Sequence, residues 1–356
     1  MSLNRTSIPE RNLDVLRSVA VLCVLADHLG LALHPLAVPR MVFTQIGHAG
    51  VLLFFVHTSL VLMASLERQG QHPGWVRHFY VRRAFRIYPL AMATLLIALA
   101  VHVPSGTPSR GEHQIFREAS AVATAANLLL VENVVGVRNL LAPYWSLPLE
   151  VDMYLLLPLC YLVARRRSAR DMALLLAGLV AAHLIVSHSG IPGAWRLTVF
   201  DYGPSFFGGV LAYHLLRRRP VPVVSAAVLP ALLLAAVALV PLLGTTSATV
   251  ERAWIPCLLL GAALPWIAEL RASVVTRAAK TIARYSYGIY LLHIPVLWLA
   301  FDVGGSLPLA LQLSMVVAGL IVLPWLAYHG IEQPGIRLGQ MVVHGRPTLA
   351  STQPAP

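Results

Sequence analysis

Eleven apolar runs, each of roughly the 17 to 25 residues that a helix needs to cross a hydrocarbon core, constrain this chain more than any other feature. They lie near residues 13–33, 45–66, 84–103, 119–136, 144–164, 171–188, 200–216, 221–243, 254–270, 283–301 and 307–329. Backbone polar groups find no water inside a bilayer, so a segment there satisfies its own hydrogen bonds by becoming a helix. The expected fold class is all-α, a polytopic integral membrane protein. Composition agrees: 57% of the 356 residues are hydrophobic and 12% are charged, against about a quarter charged in soluble domains.

The net charge of +12 would elsewhere suggest a nucleic-acid partner, but the basic residues fall between the apolar runs. No nucleic acid is expected, because that placement reports topology. The basic segments are the N-terminus (Arg5, Arg11), the stretch with Arg68, Arg77, Arg82, Arg83 and Arg86, "RRRSAR" at 165–170, "RRR" at 217–219, and the stretch with Arg271, Arg277, Lys280 and Arg284. If all are cytoplasmic, an even number of crossings separates each from the next. Three runs lie between Arg86 and Arg165, and the weakest, 119–136, is interrupted by Asn127, Glu132 and Asn133. It is assigned to a re-entrant or interfacial helix. Ten transmembrane helices remain, in the plasma membrane, with both termini cytoplasmic.

Residues 1–339 read as one membrane domain and 340–356 as a polar, proline-rich, disordered cytoplasmic tail. The first run carries no small-residue cleavage site and is expected to stay in the mature protein. Cys23, Cys160 and Cys257 have neither metal-ligand nor disulfide spacing and are read as packing residues, so no metal is expected.

Polar residues inside the runs need a reason, since ionisable groups at depth cost at least a few kcal/mol and persist beside a partner or a wet cavity. The first run holds Arg17, Asp27 and His28. Arg17 and His28, eleven residues apart, share a helix face and are separated by about 16 Å along its axis. A plainer account pairs Asp14 with Arg17 and makes His28 a packing residue. In "PYWSLPLEVDMYLLLP" (143–158), Glu150 and Tyr154 share a face at i, i+4, at the depth His28 reaches. Tyr144 and Trp145 suit an interfacial aromatic belt, with Asp152 near the headgroups. In "VRRAFRIYPL" (81–90), Arg83 and Arg86 form a two-pronged basic site, although the positive-inside rule alone would supply arginines there. In "ARYSYGIYLLHIP" (283–295), Ser286 pairs by spacing with Tyr290, Tyr287 and His293 lie nearby, and core packing is the first reading for His293.

Taken in order, Arg17 and His28, "RRAFRIYP", "YWSLPLE" followed by Tyr154, "YSYGIYLLHIP", and "EQP" at 332–334 resemble the acyltransferase 3 family of membrane O-acyltransferases, from about Arg11 to Pro334. The resemblance implies ten transmembrane helices, a number that the charge parity reaches independently. It also implies transfer of an acyl group, acetyl being the expected one, from cytosolic acyl-CoA to a hydroxyl of a cell-surface or lipid-linked glycan. By the same resemblance His28 matches the family's essential histidine, Arg17 its partner arginine, Glu150 the glutamate of the tryptophan-serine-leucine motif (Trp145, Ser146), and Arg83 and Arg86 its basic pair. Asp14, Asp27, Tyr154, Ser286, Tyr290, His293 and Glu332 are expected to support them or the substrate. One departure is "FFVHTSL" (54–60), where relatives usually continue the phenylalanine-phenylalanine-valine run with leucine, serine and glycine.

A neutral histidine can take a proton from an attacking hydroxyl at physiological pH, so His28 is the expected general base. Glu150 is expected to orient the His28 ring, Tyr154 to steady Glu150, and Arg83 and Arg86, with Arg17 deeper, to grip the CoA phosphates. A small-molecule acceptor such as a macrolide, or a glycolipid, would keep the chemistry and change the substrate. A transporter or flippase would also place polar residues at depth, but no inverted repeat is apparent.

Overall fold

The computed structural model describes residues 9–33, 40–70, 73–104, 119–166, 168–218, 221–244 and 247–344. Arg5, Arg167, Arg219 and residues 345–356 of the expected tail lie outside these. Among the described residues the protein is helical, and the one extended pairing is an isolated bridge between Val224 and Ile267. The helices are α1 (Glu10–Leu33), α2 (Arg40–Gln69), α3 (Trp75–Ala100), α4 (Ala121–Leu129), α5 (Glu132–Val135), α6 (Leu147–Ala164), α7 (Ala169–His188), α8 (Val199–Arg217), α9 (Val228–Leu242), α10 (Trp254–Ala263), α11 (Val274–Trp298), α12 (Leu309–Ala327) and α13 (Gln333–His344).

Seven helical stretches among the described residues are long and apolar enough to cross a membrane, those built on α1, α2, α3, α6, α7, α11 and α12. Three runs read as crossings fall outside that set, for local reasons. α8 carries Asp201, His214 and Arg217. α9 is only 15 residues long, because the run containing it opens in extended backbone: the Val223 and Val224 amides donate to the Trp266 carbonyl, and the Ala268 amide donates to Val224. The same bridge ends the run that begins with α10, which is 10 residues long. The 119–136 run is split and too short to cross. Leu130 sits in the left-handed region at φ 55°, and the Asn127 side chain straps the loop by donating to the Ala123 and Arg138 carbonyls and accepting from the Leu140 amide. Residues 340–344 of the expected tail are helical, since α13 runs on to His344.

In lipid, helices associate by close packing rather than by a hydrophobic drive, so small residues mark the contacts. A Cβ on Gly261 of α10 would lie 2.0 Å from the Gly208 carbonyl oxygen of α8, and one on Gly209 would lie 2.2 Å from the Val56 carbonyl oxygen of α2. These approaches hold α8 between α2 and α10. Gly261→Ala is expected to destabilise the fold by about 1–3 kcal/mol, the usual range for overpacking, seen as a lower unfolding temperature in detergent. Gly178→Ala is the control, because nothing lies within 4 Å of its Cβ position; an equal loss there would show that the α8 contact is not special.

Candidate active site

α1, α2, α3, α6 and α11, with the turn before α6, line one cavity. Its polar wall is Arg17 from α1, His57 and Thr58 from α2, Arg83 and Arg86 from α3, Glu150 and Tyr154 from α6, and Ser286, Tyr287 and Tyr290 from α11. Helical spacing explains the grouping, since residues three and four apart face the same way. Thus Arg83 and Arg86 come from successive turns, as do Ser286 and Tyr290.

Each charged group has a defined setting. The Arg17 Nε donates to Ser286 Oγ at 2.6 Å, which in turn donates to the Ala283 carbonyl. Arg86 is paired with Glu332, whose side chain is fully buried, and the Arg86 guanidinium lies 5.9 Å from the Tyr287 ring centroid, at cation–π range. Glu332 reaches it from a π-helical turn, Tyr328–Glu332, between α12 and α13; such turns recur at functional sites. The Tyr154 hydroxyl donates to Glu150 Oε1 at 2.5 Å.

Tyr290 forms the far wall. Its hydroxyl donates to the Pro143 carbonyl at 2.9 Å and shares a 2.6 Å hydrogen bond with Ser146, while its ring centroid is 6.1 Å from that of His293. Beyond it, outside the lining of the cavity, the rings of His28 and His293 meet edge to face with centroids 4.7 Å apart. Asp27 Oδ2 lies 3.8 Å from His28 Nδ1. α2 can approach here because position 47 is glycine: a Cβ there would sit 2.2 Å from Asp27 Oδ2. The arginines line this cavity together with Tyr290 and Ser146, and the histidine pair lies outside its lining, next to Tyr290.

Four sequence expectations are corrected. Glu150 does not bond His28; its partner is Tyr154, and His28 faces His293 instead. The Asp14–Arg17 ion pair is not formed among the described residues, since Arg17 turns to Ser286. Ser286 and Tyr290 line one cavity without bonding each other. Tyr144 is not an interfacial anchor: it is fully buried and its hydroxyl donates to the Ala91 carbonyl. Trp145 is half-buried and packs against His48 and Tyr202, while Asp152 accepts from Asn133 at 2.8 Å.

Sequence reasoning missed a second polar cluster, away from the cavity. His183 of α7 places Nδ1 2.9 Å from Asp201 and Nε2 3.1 Å from Glu251. A histidine inside the 171–188 run was the available signal. The positions of Tyr287, over Arg86, and of His57, on the cavity wall, depend on how α2, α3 and α11 meet, which spacing within one helix does not report.

Comparison with known proteins gives two findings. The family model described as an acyltransferase domain, Acyl_transf_3, matches residues 10–329. The chain is also 27% identical over 385 residues to acyltransferase MdmB of Streptomyces mycarofaciens, covering 97% of this chain and 95% of that protein. No solved structure matches.

Proposed function

This chain belongs to the acyltransferase 3 family, and from that premise we propose that it moves an acyl group, acetyl first among them, from cytosolic acyl-CoA to a sugar hydroxyl of a cell-surface or lipid-linked glycan. It is a membrane acyltransferase that transfers groups other than aminoacyl groups. The proposed topology has ten crossings with both termini cytoplasmic in the plasma membrane, which places the Arg17 end of α1 on the cytosolic side and His28 in the outer half.

The observation that carries this reading is the charge of the cavity. Among the described residues, Arg17, Arg83 and Arg86 converge there against Glu150 in the lining and Glu332 behind Arg86, an excess of positive charge at a depth where charge is expensive. An anionic ligand offsets it. The phosphates of CoA fit, because planar guanidiniums match phosphate oxygens with paired donors, and the thioester arm then extends toward Tyr290. His28 takes the proton of the acceptor hydroxyl on Nε2. The hydroxyl oxygen bonds to the thioester carbonyl carbon, the C–S bond breaks, and the CoA thiolate leaves and is protonated from the His28 imidazolium.

The test is transfer of label from radiolabelled acetyl-CoA by purified protein in nanodiscs to a host glycan extract. Label on a hydroxyl, dependent on wild-type protein, supports the reading. No label from any acyl-CoA, together with movement of a glycan or lipid across vesicles by the same protein, replaces it with a transporter. Label on a small molecule or glycolipid would redirect the acceptor alone. Reversing charge with Arg83→Glu is expected to weaken CoA binding by at least tenfold, the scale of losing one hydrogen bond to a charged group, as read by equilibrium titration with CoA. Unchanged CoA affinity would remove Arg83 from the donor site.

A further inference from the structure

One wall of the cavity belongs to α2 alone. His57 and Thr58 sit in its middle, with Phe54 and Phe55 before them and Val61 and Leu62 after them, while Arg17, Arg83, Arg86 and Glu150 come from other helices. Ser59, the next residue along α2, donates to the Phe55 carbonyl at 2.7 Å, the bond that a helical serine or threonine usually makes to its own backbone. Thr58 makes no such bond. Neither its hydroxyl nor the His57 ring has a hydrogen-bond partner among the described residues, although both line the cavity. His57 is 5% exposed, and a polar group left unmet away from bulk solvent is costly. The partners of this pair therefore come from what the cavity holds.

We propose that His57 and Thr58 hold the pantetheine arm of the donor through hydrogen bonds to its amide groups. The inference rests on the reading of this cavity as the acyl-CoA site. The arm is the uncharged part of CoA, amides joined by short apolar stretches that lead to the sulfur. Each amide has an N–H that donates and a carbonyl that accepts, and a neutral imidazole or a hydroxyl offers both an acceptor and a donor. The apolar residues before and after the pair on α2 suit the hydrocarbon between the amides. The phosphates have no such fit to this wall, because they call for the guanidiniums of the other helices. Position 57 is leucine in the usual family run, so this grip on the arm is a property of the present chain. It makes the pair a determinant of donor specificity, since a site built to hydrogen-bond a group discriminates against an analogue that lacks it.

The experiment titrates the protein in nanodiscs with CoA and with 3′-phospho-ADP, which keeps the nucleotide and its phosphates and lacks the arm. The wild type is expected to bind CoA at least tenfold more tightly. His57→Leu and Thr58→Val remove the polar atoms at similar volume. Each is expected to weaken CoA binding by about three- to tenfold, the scale of one neutral hydrogen bond, and to leave 3′-phospho-ADP binding within a factor of two. Thr58→Ser, which keeps the hydroxyl, and His57→Gln, which keeps a donor and an acceptor, are expected to recover part of the loss. The inference is overturned if the wild type binds the two ligands equally, which would leave the pair to water alone. Unchanged CoA affinity in both the Leu and the Val variants overturns it too, as does an equal loss of both ligands, which would show a distorted cavity. A wild type that binds neither ligand removes the acyl-CoA reading itself, and this inference with it.

Discussion

Replacing His28 with alanine is expected to lower acyl transfer by about 10²–10⁴-fold, the contribution usual for a positioned general base, and to leave CoA affinity within a factor of two. The two effects separate because His28 lies outside the lining of the arginine cavity, on the far side of Tyr290. The bond from Nδ1 to the Val24 carbonyl presets the tautomer in which Nε2 can receive a proton, and alanine removes that lone pair without disturbing the α1–α2 contact at Gly47 and Asp27. The measurement is single-turnover transfer beside CoA titration. Retained transfer would strip His28 of the role, and a parallel loss of CoA binding would show that the variant is misassembled.

Arg86→Ala or Glu332→Ala is expected to cost about 3–5 kcal/mol of stability, because each leaves its partner as an unpaired buried charge. Arg86→Ala is the more severe test, since it strands the Glu332 carboxylate, which has no exposure and is set by the π-helical turn before α13, whereas Glu332→Ala strands an Arg86 side chain that is 21% exposed. The double variant Arg86→Met with Glu332→Leu removes both charges at similar volume and should recover most of the stability, while CoA binding stays weak. Unfolding in detergent and CoA titration on the three proteins separate structure from function. If the double variant binds CoA as the wild type does, Arg86 holds α13 and nothing else.

What was legible in the sequence depended on whether a property belongs to one helix or to several. The apolar runs of α1, α2, α3, α6, α7, α11 and α12 announce themselves because length and hydropathy are local. Likewise the i, i+4 spacing of Glu150 and Tyr154 needs only the pitch of one helix. Glu150 and His28 matched in depth, yet depth along an axis says nothing about rotation around it, and α6 turns Glu150 toward Tyr154. Arg86 and Glu332 are 246 residues apart, and no periodicity could join them. Tyr144 looked like a belt residue because its neighbours are prolines and aromatics, but the 3₁₀ turn Ala142–Ser146 carries it inward to Ala91. The short α9 and α10 escaped because a β-bridge between Val224 and Ile267, invisible to hydropathy, takes the ends of two apolar runs.

The hold on Tyr290, which lines the arginine cavity on the side of the histidine pair, has an energy scale. The Tyr290 hydroxyl is held by two hydrogen bonds, to Ser146 and to Pro143, each worth about 0.5–1.5 kcal/mol net. Swinging it aside therefore costs about 1–3 kcal/mol, which leaves the phenol displaced in roughly 0.6–15% of molecules at any moment. On the reading proposed above, with the acyl donor on the arginine side and the base at His28, a phenol displaced for that fraction of the time slows transfer by no more than the reciprocal of that fraction.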